Sequence, residues 1–510
     1  MAESSANGGE GPLAGTAFAL VAQVTTAAFT AAMTLYLVRA LGPRNYGVLA
    51  LVFSVGSIAV VLSDAALAQS TSRYLAERVN DRRWVADALS AGLRLKMFTG
   101  VAISAALFAL ASPIANAYGT PSMTTPLRIV SIAVLGESML MLWTTALQAA
   151  RRVAVSVRLT FIESAVEAGA TIALVAIGGG VTGAALGRGI GYTLGAVAGG
   201  VLVANRLGGR IRLRSVEAGM KRRIGTYAGP LLLNSSAYTV YSQVDIQLVG
   251  ALLSQAAVGI LAAPFKIITL LCYPGQSVAN AVSPRMAGAD PDLASFTTAF
   301  RWLLIYQTAL IPPVVVWAQP ITRVMLGPGF SRSAAVLAAL SPYLFLRGVS
   351  VLASTTVNYL GYARRRVPIV LSSLAVMVII DLLLLPTIGL LGATVGLGAS
   401  YAIYVPLHLR LCHESLHLPV RRLGLTLIRC AAAALLTGAV LAAFGTHRLT
   451  ALQWLGGAAA GLACYAGVLA ATREIGMSDA RDLHAVLTRV RYRLSRHRQA
   501  RGAADRVTVT

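Results

Sequence analysis

Residues 367–388 read VPIVLSSLAVMVIIDLLLLPTI. One ionisable group, Asp381, interrupts an otherwise apolar run. At 1.5 Å per residue a helix of this length reaches roughly 33 Å, enough to cross about 30 Å of hydrocarbon. The run shows no alternation of period two, so it is not a strand of a closed barrel. Thirteen further segments of similar length and character flank it, at 13–38, 46–70, 85–111, 126–148, 157–178, 181–204, 227–250, 257–282, 300–322, 333–357, 391–411, 423–444 and 450–472. Pro312 and Pro313 interrupt the ninth of the fourteen. The fold class expected is an all-α polytopic membrane protein.

Composition agrees. Of 510 residues, 56% are hydrophobic and 12% charged, against roughly 25% charged in a soluble domain. That pattern excludes a soluble enzyme, a disordered chain and a disulfide scaffold. Cys272, Cys412, Cys430 and Cys464 fall in or beside apolar runs at no metal-ligand spacing, so neither a metal site nor a disulfide is expected. Residues 1–11 lack a basic stretch, and the first apolar run is too long for the core of a cleavable signal.

The net charge of +24 arises from 43 Lys and Arg against 19 Asp and Glu. These basic residues lie in the loops, which makes them a topology signal and leaves no case for nucleic acid. With a cytoplasmic N-terminus, inner loops and tail hold 31 Lys and Arg and outer loops hold 6. The positive-inside rule then places both termini in the cytoplasm. The expected organisation is a cytoplasmic N-terminus (1–11), an N-lobe of six spans (12–204), a basic linker (205–226), a C-lobe of six spans (227–411), two further spans (423–472) and a basic tail (473–510). In that tail Leu483, Val486, Leu487, Val490 and Leu494 recur at helical spacing among arginines. This describes an amphipathic helix resting on anionic inner-leaflet lipid.

The two halves repeat. Leu41, Gly47, Leu49, Ala50, Phe53 and Arg73 match Leu253, Gly259, Leu261, Ala262, Phe265 and Arg285. Arg151, Arg152 and Val153 match Arg365, Arg366 and Val367. Gly180, Gly183, Ala184, Gly187, Gly189 and Tyr192 match Gly389, Gly392, Ala393, Gly396, Gly398 and Tyr401. The repeating unit is six helices, and six is even, so the halves run parallel. Parallel repeats about an axis along the membrane normal are a transporter architecture, with the binding site between them near midplane. The spacings Gly183–Gly187 and Gly187–Gly191 suit close helix packing.

Ionisable groups at membrane depth are functional candidates, because stranding one in lipid costs at least about 2.5 kcal/mol. Glu137, Glu167, Lys266 and Arg347 fall near midplane; Arg188 and Asp381 lie somewhat outward; Asp64 and Asp245 lie nearer the outer surface. Glu163 and Glu167 share a helix face, so one is expected to be protonated or paired. Lys266, Arg347 and Arg188 are the candidates for binding an anionic head group. Glu137, Glu163, Glu167, Asp381, Asp64 and Asp245 are the candidates for ion coupling or counter-charge.

Five segments carry a family resemblance. LVRALGPRNYGVLAL (37–51) with SDAALAQSTSRYLAE (63–77), and DIQLVG (245–250) with VGILAAPFK (258–266), resemble the polysaccharide-transporter family, the Wzx-type O-antigen and exopolysaccharide flippases of the MOP superfamily. GLLGA (389–393) resembles that family's twelfth helix. The resemblance covers about 12–472. It implies fourteen helices in two lobes around a central cavity. It also implies movement of a polyprenyl-pyrophosphate-linked oligosaccharide across the bacterial plasma membrane, with polymerases or glycosyltransferases as possible partners. Lys266 matches the family's pattern, whereas Arg188 and Arg347 rest on depth alone. The uncharged loop between spans 7 and 8 and the long basic tail depart from the family. No phosphate-binding Gly-x-x-x-x-Gly-Lys-Ser/Thr run is present, so no nucleotide cofactor is expected. Rival expectations are a lipid II flippase, a MATE-type cation or drug antiporter and, with least support, a membrane enzyme of polysaccharide assembly.

Overall fold

The computed structural model describes residues 12–207, 218–288 and 291–476. The expected tail helix lies outside the described residues, as does 208–217 of the basic linker. The described residues form seventeen α-helices with short 3-10 and π turns, and no strand among them. The first half holds α1 (Pro12–Asp64), α2 (Leu67–Glu77), α3 (Arg82–Ala117), α4 (Thr124–Ala149), α5 (Val153–Leu174) and α6 (Gly180–Arg206). The second holds α7 (Ala218–Leu252), α8 (Gln255–Val282), α9 (Leu293–Ala309), α10 (Ile311–Val316), α11 (Ala318–Met325), α12 (Ser333–Ala339), α13 (Ser341–Tyr359), α14 (Ala363–Ile388) and α15 (Leu390–Leu416). Two last helices follow, α16 (Val420–Ala443) and α17 (Ala451–Ala471).

Among the described residues ten stretches are long and apolar enough to cross a membrane, or eleven with the bent pair α12–α13. Two of them, Phe29–Glu77 and Val153–Arg206, run 49 and 54 residues, about twice what a bilayer needs. Each breaks within: α1 at Gly42 (φ +70°), and α5–α6 at Gly178 (φ +92°) and Gly180 (φ +52°). Glycine takes such positive φ without steric cost. The surface is inside-out for water. Phe98, Ile177, Leu435, Leu452 and Leu455 are each more than 70% exposed, a pattern that only a lipid environment makes favourable.

Helix ends are fixed locally. Asp81 caps α3 by accepting from the amides of Arg83 and Trp84. Ser254 caps α8 through the amide of Ala257. Thr450 and Gln453 form a reciprocal capping box at α17.

The repeat is visible in backbone and packing. Gly180 (φ 52°, ψ −137°) and its equivalent Gly389 (φ 62°, ψ −139°) adopt one conformation. A Cβ at Gly183 would sit 3.0 Å from the carbonyl oxygen of Leu174, and one at Gly392 would sit 2.8 Å from that of Leu384. Gly187 packs on Thr171, and Gly396 on Asp381. α6 therefore lies against α5 as α15 lies against α14. Gly191 and Gly195 extend the first contact along Glu167 and Glu163.

The helices fall into two compact units. One contains α1–α8 and α11–α15; the other contains most of α9 with α10, α16 and α17. In the second unit Ile305, Cys430, Ala433, Tyr465 and Leu469 make a core. At its edge Glu474 takes hydrogen bonds from Arg301 Nε (2.9 Å), Arg429 Nη1 (2.8 Å) and Thr426 Oγ1 (2.7 Å). Burial pushes the Glu474 carboxyl up, but these three donors outweigh it and hold the group below the usual carboxylate range. A depressed value means the contribution is present above the ordinary carboxylate pKa and is lost as pH falls through the lowered one. Glu474→Gln is expected to cost about 2 kcal/mol and to flatten the acid limb of a pH-dependent melting curve. An unchanged acid limb would refute this.

Candidate functional site: a charged cavity between the repeats

A cavity of about 650 Å³ opens between the two repeats. It is lined by α1, α4, α5 and α6 from the first half and by α7, α8, α13 and α15 from the second. Seven of the nine sequence candidates stand on its wall: Glu137, Glu163, Glu167, Arg188, Asp245, Lys266 and Arg347. The repeat-equivalent positions Arg188 and Leu397 both line it, one charged and one apolar.

The first-half wall carries three acids, Glu137, Glu163 and Glu167, and one cation, Arg188. Arg188 Nη2 donates to Glu137 Oε2 at 2.9 Å, and its Nη1 lies 3.7 Å from Glu167 Oε1. The guanidinium also stacks over Phe53 (4.7 Å) and Tyr192 (4.9 Å), which holds its plane. Glu163 accepts from Ser164 Oγ at 3.3 Å, and its other oxygen finds no donor among the described residues. Lys266 reaches the cavity from α8, where the charges of Arg188 and Glu167 act on it.

The second-half wall differs. Among the described residues Arg347 bonds only to hydroxyls, donating to Tyr343 (3.1 Å) and Tyr401 (3.3 Å). Tyr241 stacks on Tyr401 and Tyr404, with centroids 5.5 and 5.9 Å away, and shares a 2.9 Å hydrogen bond with Ser400. Flat rings and hydroxyls of this kind suit the apolar faces and hydroxyl edges of sugars. Sequence reasoning missed this tyrosine cluster. The spacing of Tyr401 and Tyr404 on α15, together with Tyr343 four residues before Arg347, was its only trace.

Two candidates are not on the wall. Asp64 pairs with Lys96 at 2.6 Å, and Lys96, 0% exposed, also donates to the Ser138 carbonyl. Asp64 further accepts from the Ala68 amide at 3.3 Å, so it ties α1 to α2 and α3. Asp381 is fully buried on α14, facing Asp245 of α7 and packed on Gly396. Neither Asp381 oxygen, nor Asp245 Oδ1, finds a donor among the described residues. No cluster of three metal-ligating side chains occurs among them either.

One end of the cavity is closed by a seam between α1 and α8. A Cβ on Gly47 would lie 1.7 Å from the Gln255 carbonyl oxygen, and one on Gly259 would lie 1.9 Å from that of Pro43. The two glycines are repeat equivalents, so the pseudo-axis passes between them. Around the seam, Tyr118 bonds to Gln247, Gln255 donates to Thr120 and to the Tyr118 carbonyl (3.2 Å), and Arg39 donates to the carbonyls of Val324 and Met325.

Fold and cavity together define a multi-pass helical membrane protein built of two parallel repeats around a charged central cavity. Residues 13–289, more than half of the chain, match the polysaccharide biosynthesis protein family, and the chain belongs to that family. It is 22% identical over 191 residues to a probable low-salt glycan biosynthesis flippase, Agl15, of Haloferax volcanii. The match covers 35% of this chain and 40% of that protein, so the chain spans less than half of the relative's length. The fold is that of the lipid II flippase MurJ in an inward closed conformation: TM-score 0.75, 12% identity, 89% of this chain and 98% of the other. It is also similar to an inward-facing MATE-family multidrug transporter of the MOP superfamily: TM-score 0.63, 14% identity, 79% of this chain and 99% of the other.

Proposed function

We propose that the protein is a flippase that moves a polyprenyl-pyrophosphate-linked oligosaccharide across the bacterial plasma membrane by alternating access. It acts as a transporter without bond-making chemistry. The observation that carries this reading is a polar cavity lined by four helices of each of two parallel repeats and closed at one end by a glycine seam. An oligosaccharide cannot cross hydrocarbon unaided, since each unpaired hydroxyl costs several kcal/mol. A cavity offering hydroxyls, rings and fixed charge removes that barrier. The membership of the chain in a polysaccharide biosynthesis family, and its similarity to the probable glycan biosynthesis flippase Agl15, agree with this cargo.

Arg347 is the cation we assign to the anionic head group, and Lys266 is a second cation on the cavity wall. Arg188, held between Glu137 and Glu167, fixes the shape of the opposite wall. Asp245 and Asp381 are the assigned coupling pair. Two facing carboxyls without donors are satisfied together by one proton or one small cation. We place the arginine-rich loops in the cytoplasm by the positive-inside rule, which puts the closed seam on the outer side and both termini inside. Lipid II is the closest alternative cargo. The acids on the cavity wall would favour a MATE-type cation antiporter, but Arg188 already pairs with two of them.

The test is flipping in proteoliposomes carrying fluorescent polyprenyl-pyrophosphate oligosaccharides. Wild type is expected to move the lipid, and Arg347→Ala and Lys266→Ala to slow it tenfold or more. Asp381→Asn is expected to remove dependence on the pH or sodium gradient. A wild type that moves no glycolipid and instead exports organic cations would sink the proposal.

A further inference from the structure

A second, smaller cavity of about 310 Å³ lies inside the second repeat. Tyr238, Arg347 and Tyr401 line both cavities and form the wall between them. Hydroxyls dominate the rest of its lining, among them Ser350, Ser354, Thr355 and Tyr404. Its far wall is Arg366, on the first turn of α14, and no Asp or Glu lines it.

Arg366 is only 8% exposed. Its Nε donates to His408 Nε2 (3.3 Å), its Nη1 to Asn358 Oδ1 (2.7 Å) and its Nη2 to the Tyr404 hydroxyl (3.4 Å). All three partners are neutral. Among the described residues the guanidinium thus has no counter-charge, although removing an ion from water costs several kcal/mol unless it is paired. Three bonds use three of its five N–H donors and fix its plane. The remaining two, one on each terminal nitrogen, have no partner among the described residues. Arg347 across the cavity is in the same condition, bonded to hydroxyls alone. Two oriented guanidiniums without acids, in a hydroxyl-lined chamber at the small end of ligand-site volumes, make a site built for an oxyanion on a polyhydroxylated molecule.

Resting on the flippase reading, we propose that this chamber is a subsite that receives an oxyanion of the glycolipid head group, held between Arg347 and Arg366. The oxyanion belongs either to the carrier's pyrophosphate or to an acidic sugar such as a uronate. The planar, forked geometry of arginine suits either group through paired N–H donors. On this basis the second repeat binds the anion, while the acid-rich wall of the first repeat bears on neutral parts of the cargo.

The experiment uses the full chain in lipid nanodiscs, titrated with inorganic pyrophosphate, with a glucuronate-containing disaccharide and with a neutral disaccharide. At least one anion is expected to bind tenfold or more tightly than the neutral sugar. Arg366→Gln is expected to lower that affinity at least tenfold, with Arg366→Lys intermediate. Because Arg366 also braces Asn358, Tyr404 and His408, Thr355→Met provides the second arm. It narrows the chamber and leaves all four residues of that network unmutated, and it is expected to weaken the anion comparably at an unchanged melting temperature. Preference for pyrophosphate assigns the chamber to the carrier, and preference for glucuronate assigns it to the sugar. Anion affinity that is absent in wild type, or unchanged in both Arg366→Gln and Thr355→Met, overturns the subsite. Flipping measured in parallel separates the two ideas. Intact glycolipid flipping with anion-insensitive variants removes the subsite alone, whereas anion binding without any flipping removes the flippase reading.

Discussion

Gly259→Ala is expected to lower flipping tenfold or more while leaving the protein folded, and Gly47→Ala to do the same. The reason is geometric. At both positions the added Cβ would meet backbone, 1.9 Å from the Pro43 oxygen or 1.7 Å from the Gln255 oxygen. A flexible side chain can swing aside, whereas a helix backbone cannot, so α1 and α8 must separate. Overpacking of this kind costs typically 1–3 kcal/mol. That cost falls only on the conformation with the seam closed, because the glycines face nothing in a conformation where the helices part. A differential of 1–3 kcal/mol shifts a two-state equilibrium about 5- to 150-fold. The variants should therefore accumulate with the cavity open at the seam end. Accessibility of a Ser54→Cys probe, in a background without the native cysteines, reads this directly with an impermeant thiol reagent added from outside. Wild type should be protected and the glycine variants labelled. Equal labelling, with flipping within twofold of wild type, would remove the seam from the transport cycle.

The seam also shows what sequence alone carries. Gly47 and Gly259 were visible as repeat equivalents through their common offset, as were Gly187 and Gly396. An offset reports backbone geometry because the same glycine is needed wherever two backbones touch. The spans were legible for a similar reason, since crossing hydrocarbon demands apolar length and little else. Charge partners were not legible. Arg188 meets Glu137 across 51 residues and two helices, which depends on the rotation and depth of α4 and α6 and on no local spacing. Lys266 and Arg347 look alike along the chain, each far from any acid. In space, Lys266 shares the neighbourhood of Glu167, while Arg347 donates to two tyrosine hydroxyls. Arg366 belongs to an arginine triplet that reads as a loop signal, yet its neighbours Arg364 and Arg365 are exposed while it is buried. One turn of helix decides which of three identical residues faces the lobe interior.

Asp64 tests the same distinction with a larger energetic consequence. By depth it was a candidate for ion coupling or counter-charge; by contact it is the counter-ion of Lys96. Lys96 is completely buried and its Nζ serves both Asp64 and the Ser138 carbonyl, so one ammonium holds α1, α3 and α4 together. Removing one partner of a buried pair leaves an uncompensated charge and costs about 3–5 kcal/mol. Lys96→Met and Asp64→Leu are each expected to lower the melting temperature of the purified protein by several degrees or to prevent its accumulation. The double variant Lys96→Met/Asp64→Leu removes both charges, and a buried ion pair replaced by apolar groups of similar volume is often neutral or stabilising. It should recover most of the loss and retain glycolipid flipping, since neither side chain lines the cavity. Such recovery would show the pair to be a structural pin. If the double variant instead melts like wild type yet loses gradient-dependent transport, Asp64 carries the coupling ion after all, and the Asp245–Asp381 assignment must give way to it.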